Sequence, residues 1–99
     1  MKENKNKFET MQDCVKIANY LNAFANEKRI SIVCLLKNRE MTVTEIANAL
    51  DMPQSSVSIN LEKLYLKEIV CRTRKGKFVY YSLNSNTVKM IVRKLNELF

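Results

Sequence analysis

Residues 42–81 read TVTEIANALDMPQSSVSINLEKLYLKEIVCRTRKGKFVYY, and this stretch decides the fold. Its first four residues have the pattern of a capping box. The hydroxyl of Thr42 accepts a hydrogen bond from a first-turn amide, and the carboxylate of Glu45 accepts one from the amide of Thr42. The pattern predicts a helix that begins here and ends before Pro53, because proline has no amide hydrogen and disfavours helical geometry in the preceding residue.

A second helix is predicted directly after this break. Val57, Leu61 and Leu64 recur at spacings of four and three, which predicts a buried apolar face. The rest of the helix is predicted to present hydrogen-bonding side chains to an external partner: Gln54, Ser55, Ser56, Ser58 and Asn60. Two short helices joined by a tight break form a helix-turn-helix, so we interpret these side chains as facing the major groove of DNA, with Lys63 contacting phosphate.

A β-hairpin is predicted after the second helix. Residues 69–74 and 77–83 are rich in β-branched and aromatic side chains, and they flank Gly76, the chain's single glycine. Glycine adopts the positive φ of a tight hairpin turn without steric cost. The hairpin carries four positive charges, on Arg72, Arg74, Lys75 and Lys77. No Asp or Glu lies between Val70 and Asn84 in the sequence, so these charges are expected to be free to bind phosphate.

Composition limits the classes of function that the chain can have. A length of 99 residues indicates one small domain, and 46% hydrophobic residues indicate a folded one. A formal net charge of +7 favours a polyanionic partner. Histidine is absent, which removes the commonest general base, so an enzyme is not expected. The first residues are polar, no run of about 20 apolar residues is present, and the three cysteines do not have the spacings of a disulfide framework. Together these features predict a cytoplasmic protein with no membrane segment.

The remaining sequence predicts a disordered tail at residues 1–8 and a single domain at residues 9–99. Apolar residues at helical spacing predict one helix from Met11, a second that Asn26 caps, and a last one after residues 84–86. The fold class is therefore mostly α with a small β-hairpin, in the order α-α-α-α-β-β-α. The two terminal helices have more apolar surface than one small core needs, which predicts a homodimer formed through them. Such a dimer places its two recognition helices about 34 Å apart, one turn of B-DNA.

Four segments of this chain, at residues 24–30, 43–47, 54–58 and 74–83, resemble the ArsR/SmtB-type winged helix-turn-helix transcriptional repressors. The resemblance covers about residues 15–99. It implies a homodimer that binds a double-stranded DNA operator and releases it when an inducer arrives. Two departures from the family pattern bear on the interface. Glu68 stands where the family usually has glycine, and Asn60 stands where many members have histidine.

The resemblance also implies where an inducer is sensed. The metalloid-sensing members have paired cysteines at the segment that reads VTEIA here, and the zinc-sensing members have Asp, His and Glu ligands on the last helix, where only Glu97 is present. No metal site and no cofactor are therefore predicted. Cys34 occupies the position that resembles the first cysteine of the redox- and sulfide-responsive subgroup. Its usual partner would follow Phe99, so that partner is lost, lies beyond this sequence, or is replaced by another thiol, for which Cys14 is the first candidate. Each of these cysteines, and Cys71 more so, also suits a packing role.

These observations lead to one main hypothesis. The chain is predicted to be a homodimeric, sequence-specific DNA-binding transcriptional repressor that thiol modification, by oxidants or reactive sulfur, releases from its operator. Three alternatives stay open: a repressor that senses a soft metal or metalloid through its three thiolates, a winged-helix adapter whose basic hairpin binds an acidic protein, and a constitutive repressor.

Overall fold

The computed structural model describes residues 10–99 and contains five helices and one two-stranded antiparallel sheet within that range. The elements are α1 (Met11–Phe24), α2 (Glu27–Leu35), α3 (Val43–Leu50), α4 (Gln54–Leu66), β1 (Val70–Lys75), β2 (Phe78–Leu83) and α5 (Asn86–Leu98). This order confirms the predicted fold class. The tail predicted at residues 1–8 lies outside the described residues.

Side-chain caps start α2, α3 and α5 where the sequence indicates. Thr42 and Glu45 form the predicted capping box, in which the Thr42 amide donates to Glu45 Oε1 at 2.9 Å and the Glu45 amide donates to Thr42 Oγ1 at 3.2 Å. Asn26 Oδ1 accepts from two first-turn amides of α2, at 2.9 and 3.1 Å. Ser85 Oγ accepts from the amide of Val88 at the start of α5. Each cap satisfies amides that a helix leaves without an internal partner.

The core lies where α2, α3 and α4 pack together and where the hairpin and α5 cover them. The largest side chains that are fully buried are Ile32, Val33, Leu36, Met41, Ile46, Val57, Leu61, Leu64, Val70, Val88 and Val92. Because α3 and α4 each bury their apolar face in this core, their other faces are held in a fixed orientation toward solvent. This orientation positions the site described below.

The hairpin has a defined register, and its second strand is also attached to the segment that precedes α3. Val70 pairs with Leu83 at its base and Lys75 pairs with Phe78 at its tip, so three strand ends lie one residue from their predicted positions and Leu83 ends the second strand as predicted. The two loop residues are Gly76, with φ 63°, and Lys77, and a positive φ at the first loop residue alone suits a type II′ turn. Met41 forms two backbone hydrogen bonds with Tyr81, of 2.8 and 2.9 Å, which tie the outer edge of β2 to the residue before the N-cap of α3.

Glu68 has a left-handed backbone, with φ 62°, between α4 and β1. The turn is fixed by Asn84, whose side-chain amide donates to the Glu68 carbonyl and whose backbone amide donates to the Ile69 carbonyl, both at 2.9 Å. The position therefore requires the conformation that glycine adopts most easily, and a glutamate occupies it.

Helix α1 packs on the core through its C-terminal half. Ala23 and Phe24 are its buried residues, whereas Met11, Val15 and Leu21 are exposed apolar side chains. The molecule is correspondingly elongated, with principal extents of 52 × 26 × 24 Å. Between residues 10 and 99, no helix combines the length and the apolar character that crossing a membrane requires.

Candidate nucleic-acid interface

Helix α4 presents a polar face to solvent, as the sequence predicts. Gln54, Ser55, Ser58 and Lys63 are exposed, and Ser56 is half-buried. Val57, Leu61 and Leu64 are fully buried on the opposite side, so the helix cannot rotate to withdraw these side chains. Hydroxyl and amide groups on a rigid exposed helix are suited to hydrogen-bond with base edges in a major groove.

The predicted orientation of Asn60 is wrong. Its side chain is 8% exposed, and its Nδ2 donates to the backbone carbonyl of Ser56 at 2.9 Å. The cause is helical periodicity. Asn60 follows Val57 by three residues and precedes Leu64 by four, so all three share one face. In this structure Asn60 is part of the packing of α4 and does not point toward a groove.

Sequence reasoning missed Ile59, which belongs to the exposed face. It is 57% exposed and lies beside Ser58 and one turn after Ser55. The same periodicity locates it, because a residue two positions from the buried Val57 points to the opposite side of a helix. The exposed face of α4 therefore contains an apolar side chain between polar ones.

Two of the four basic side chains of the hairpin have carboxylate partners, which corrects the expectation that all four are free. Arg72 donates from its guanidinium to Glu62 Oε1 at 3.2 Å, and the Lys75 ammonium pairs with the Glu40 carboxylate. Both acidic residues come from outside the hairpin, so the sequence between residues 70 and 84 did not reveal them. Within residues 10–99, Arg74 and Lys77 have no carboxylate in ion-pair contact, and both are exposed.

The Arg72 side chain connects the hairpin to α4. Its guanidinium carbon lies 3.8 Å from the centroid of the Tyr65 ring, and Glu62, one turn earlier on α4, accepts its hydrogen bond. The pKa of Arg72 is raised above its usual value, first by a hydrogen bond with the Tyr81 side chain and then by the bond to Glu62, whereas partial desolvation acts in the opposite direction. The contacts of the guanidinium with Tyr65 and Glu62 join the hairpin to α4.

The three cysteines are all free thiols in different surroundings. Cys14 is exposed on α1, and Cys34 is half-buried on α2 against the core. Cys71 Sγ lies 3.2 Å from the Oγ of Ser82, its cross-strand partner. No group of three or more His, Cys, Asp or Glu side chains within the described part of the chain is placed to hold a metal ion.

A helix-turn-helix braced against a basic hairpin defines a winged-helix DNA-binding regulator. Residues 26–71 match the model of a family described as bacterial regulatory proteins of the arsR family. Individual relatives also match this chain over most of its length. The chain therefore belongs to the arsR family of DNA-binding transcriptional regulators. The family resemblance inferred from the sequence is confirmed.

Two relatives are similar over most of their length. The transcriptional activator HlyU of Vibrio cholerae is 32% identical over 91 residues, which are 92% of this chain and 84% of that protein. One of its structures superimposes with a TM-score of 0.86 at 31% identity, covering 91% of this chain and 98% of that one, and another structure is of its reduced form. The transcriptional repressor PagR of Bacillus anthracis is 38% identical over 82 residues, which are 82% of each chain.

A third relative is known as a dimer. The solution structure of Mb0332 from Mycobacterium bovis, described as a homodimeric winged helix-turn-helix DNA-binding domain, has a TM-score of 0.79 at 25% identity. The superposition covers 97% of this chain and 89% of that one. This chain therefore has the fold of a protein that assembles as a homodimer.

Proposed function

We propose that the chain is a homodimeric, sequence-specific DNA-binding transcriptional repressor that leaves its operator when its thiols are modified. The observation that carries the proposal is the rigid combination of a solvent-facing helix α4 and a basic hairpin, joined through Arg72, Tyr65 and Glu62. The serines of α4 supply hydrogen bonds for base edges, and Arg74 and Lys77 supply charge for phosphates. The protein acts in the cytoplasm, where bacterial DNA lies.

Dimerisation is supported by the apolar surface that α1 and α5 leave exposed. Met11, Val15 and Leu21 on α1, and Met90 and Leu98 on α5, are large apolar side chains in contact with solvent in the single chain. A surplus of this kind marks an interface with another protein surface. The homodimeric state of the Mb0332 domain supports a second copy of this chain as the partner.

Repression is the simpler of the two regulatory outcomes that relatives represent, since PagR is a repressor and HlyU an activator. A dimer bound over a promoter excludes polymerase by occupying the DNA. Activation requires, in addition, a surface that recruits or stabilises another component. Expression from a promoter reporter, measured with and without the gene that encodes this chain, distinguishes repression from activation. Higher reporter expression in the presence of the gene contradicts repression.

Release by thiol modification is supported by the position of Cys34. It packs against the core from α2, and α2 contacts both α3 and α4. Adding atoms to a side chain in a packed position costs roughly 1–3 kcal/mol through displacement of its neighbours. A modified Cys34 would therefore displace α2 relative to α3 and α4. Cys14 is exposed in the single chain and is the second candidate thiol.

The test of DNA recognition is selection followed by affinity measurement. Wild-type protein selects sites from a random duplex library, and anisotropy then compares the selected duplex with a scrambled one at several salt concentrations. Sedimentation measures the stoichiometry of the complex. We expect a dimer with a preferred site and a steep salt dependence. Equal affinity for both duplexes would refute sequence-specific binding, and a monomeric complex would refute the dimer.

The test of thiol control uses Cys14→Ser, Cys34→Ser and the double variant, with Cys71→Ser as the matched control. Affinity for the selected duplex is measured before and after treatment with an oxidant or a polysulfide. We expect wild type and Cys71→Ser to lose affinity on treatment and the double variant to retain it. A double variant that responds as wild type does would refute the assignment of the sensor thiols.

A further inference from the structure

Ile59 is an exposed aliphatic side chain in the middle of the solvent face of α4. It is 57% exposed, and its neighbours on that face are Ser55, Ser58 and Glu62. The core that lies under α4 is already filled by Val57, Leu61 and Leu64. The apolar surface of Ile59 is therefore exposed to solvent in the free protein.

Helix formation does not account for an isoleucine at this position. β-branched residues have lower helix propensity than Ala, Gln, Glu, Lys or Arg, because the preceding turn restricts their χ1 angle. The same restriction has a benefit for recognition. In a helix about 90% of isoleucine side chains adopt one χ1 rotamer, so the two branches of Ile59 are held in one direction with little entropy left to lose on contact.

The major groove offers such a side chain one apolar partner. Guanine, cytosine and adenine present donors and acceptors there but no methyl group, whereas thymine presents its C5-methyl group beside the O4 acceptor. An aliphatic group pressed against a donor or an acceptor leaves that group without a partner, which is unfavourable. Contact with a thymine methyl instead removes apolar surface of both partners from water.

We infer that Ile59 is a specificity-determining residue that contacts the C5-methyl group of a thymine in the operator. The inference rests on the proposed function, because it assumes that α4 enters a major groove. It also predicts one feature of the operator. Each half-site contains a thymine whose methyl group, and not only its hydrogen-bonding edge, contributes to affinity. Serine side chains beside Ile59 read the neighbouring polar edges.

Deoxyuridine provides the probe, because it differs from thymidine only by the missing methyl group. Burying one methyl group stabilises by roughly 0.8 kcal/mol, which corresponds to about a fourfold change in affinity. Each thymine of the selected half-site is replaced by deoxyuridine in turn, and affinity is measured for wild type, Ile59→Ala and Leu66→Ala. Leu66 is the matched control, since it is an exposed aliphatic residue on the same face, seven residues or about 10 Å toward the C-terminus of α4.

We expect one thymine per half-site at which deoxyuridine weakens wild type and Leu66→Ala about fourfold but leaves Ile59→Ala unchanged. Ile59→Ala should itself bind the thymine-containing site about fourfold more weakly than wild type. Alanine is the best helix former and Ile59 lies outside the core, so the variant should keep its melting temperature. If all three proteins respond alike at every position, the inference is overturned while the proposed function stands. If wild type selects no site, the proposed function itself fails.

Discussion

The guanidinium carbon of Arg72 lies 3.8 Å from the centroid of the Tyr65 ring, so a strand of the hairpin is seated directly on the last turns of α4. Glu62, three residues before Tyr65, accepts a hydrogen bond from the same guanidinium. Arginine is suited to this double role, because its planar group stacks on an aromatic ring while its edge donates hydrogen bonds. The helix and the hairpin are thus held together as one unit, as the proposed DNA interface requires.

Glu62 is a carboxylate on the exposed side of α4 that we propose faces DNA, and replacing it should strengthen non-specific binding. In Glu62→Gln, Arg72 loses its ionic partner and becomes available to phosphate. We expect several-fold tighter binding to a random duplex and a salt dependence steeper by about 0.9 in log Kd against log salt, the value for one added phosphate contact. Anisotropy titrations at four or more salt concentrations measure both quantities.

Glu97→Gln is the control, since it removes one negative charge from an exposed ion pair with Lys94 on α5. It should leave the salt dependence unchanged. Neither variant should change the free energy of unfolding by more than about 1 kcal/mol, because exposed ion pairs contribute little to stability. The same increase in affinity for both variants would indicate a general effect of net charge and contradict a local role for Glu62.

Lys75 and Lys77 flank Gly76 and should differ in their contribution to DNA binding. Lys75 pairs with Glu40, whereas Lys77 has no carboxylate partner in the described residues. Lys77→Ala should therefore reduce the slope of the salt dependence by about 0.9, and Lys75→Ala by less, because its charge is already partly neutralised. Salt titrations of the two variants on one random duplex make the comparison. A larger loss for Lys75→Ala would show that its ion pair opens on binding.

The elements of this fold were predictable from sequence because their signals are local. The capping box at Thr42 and Glu45 and the single glycine of the hairpin act over two to four residues, and both are found as predicted. The apolar spacing of Val57, Leu61 and Leu64 likewise specified the buried side of α4. Each of these patterns depends on backbone geometry that the neighbouring residues alone decide.

The details of the interface were not predictable in the same way, because they depend on contacts between distant segments. Glu40 reaches Lys75 across 35 residues of sequence, and Met41 pairs with Tyr81 across 40. No pattern within the hairpin indicates either contact. Asn60 is a different case: its periodicity placed it on the buried face, but its polar character suggested the opposite, and the periodicity was the better guide.

Substitutions of Ser58 and Asn60 should therefore have different effects on the preference for the selected duplex. Ser58 is exposed on the side of α4 that we propose faces the groove, and Asn60 donates to the carbonyl of Ser56 within its own helix. We expect Ser58→Ala to weaken binding to the selected duplex more than to a scrambled one. Asn60→Ala should leave the ratio of the two affinities as in wild type. A lost preference in Asn60→Ala with an unchanged melting temperature would show that this side chain turns outward on DNA.

Glu68→Gly should stabilise the fold. The left-handed conformation at this residue, with φ 62°, costs a residue with a Cβ atom roughly 1–2 kcal/mol, whereas glycine adopts it freely and loses roughly 0.5–1 kcal/mol of chain entropy on folding. The net expectation is a gain of roughly 0.5–1 kcal/mol, or several degrees in melting temperature for a domain of this size. Both hydrogen bonds from Asn84 are made to backbone carbonyls and remain available in the variant.

Lys67→Gly is the matched control. Lys67 is adjacent to Glu68 but has φ −91° and gains nothing from glycine, so the melting temperature of this variant should fall. A lower melting temperature for Glu68→Gly would mean that the glutamate side chain stabilises the turn by more than its backbone strain costs.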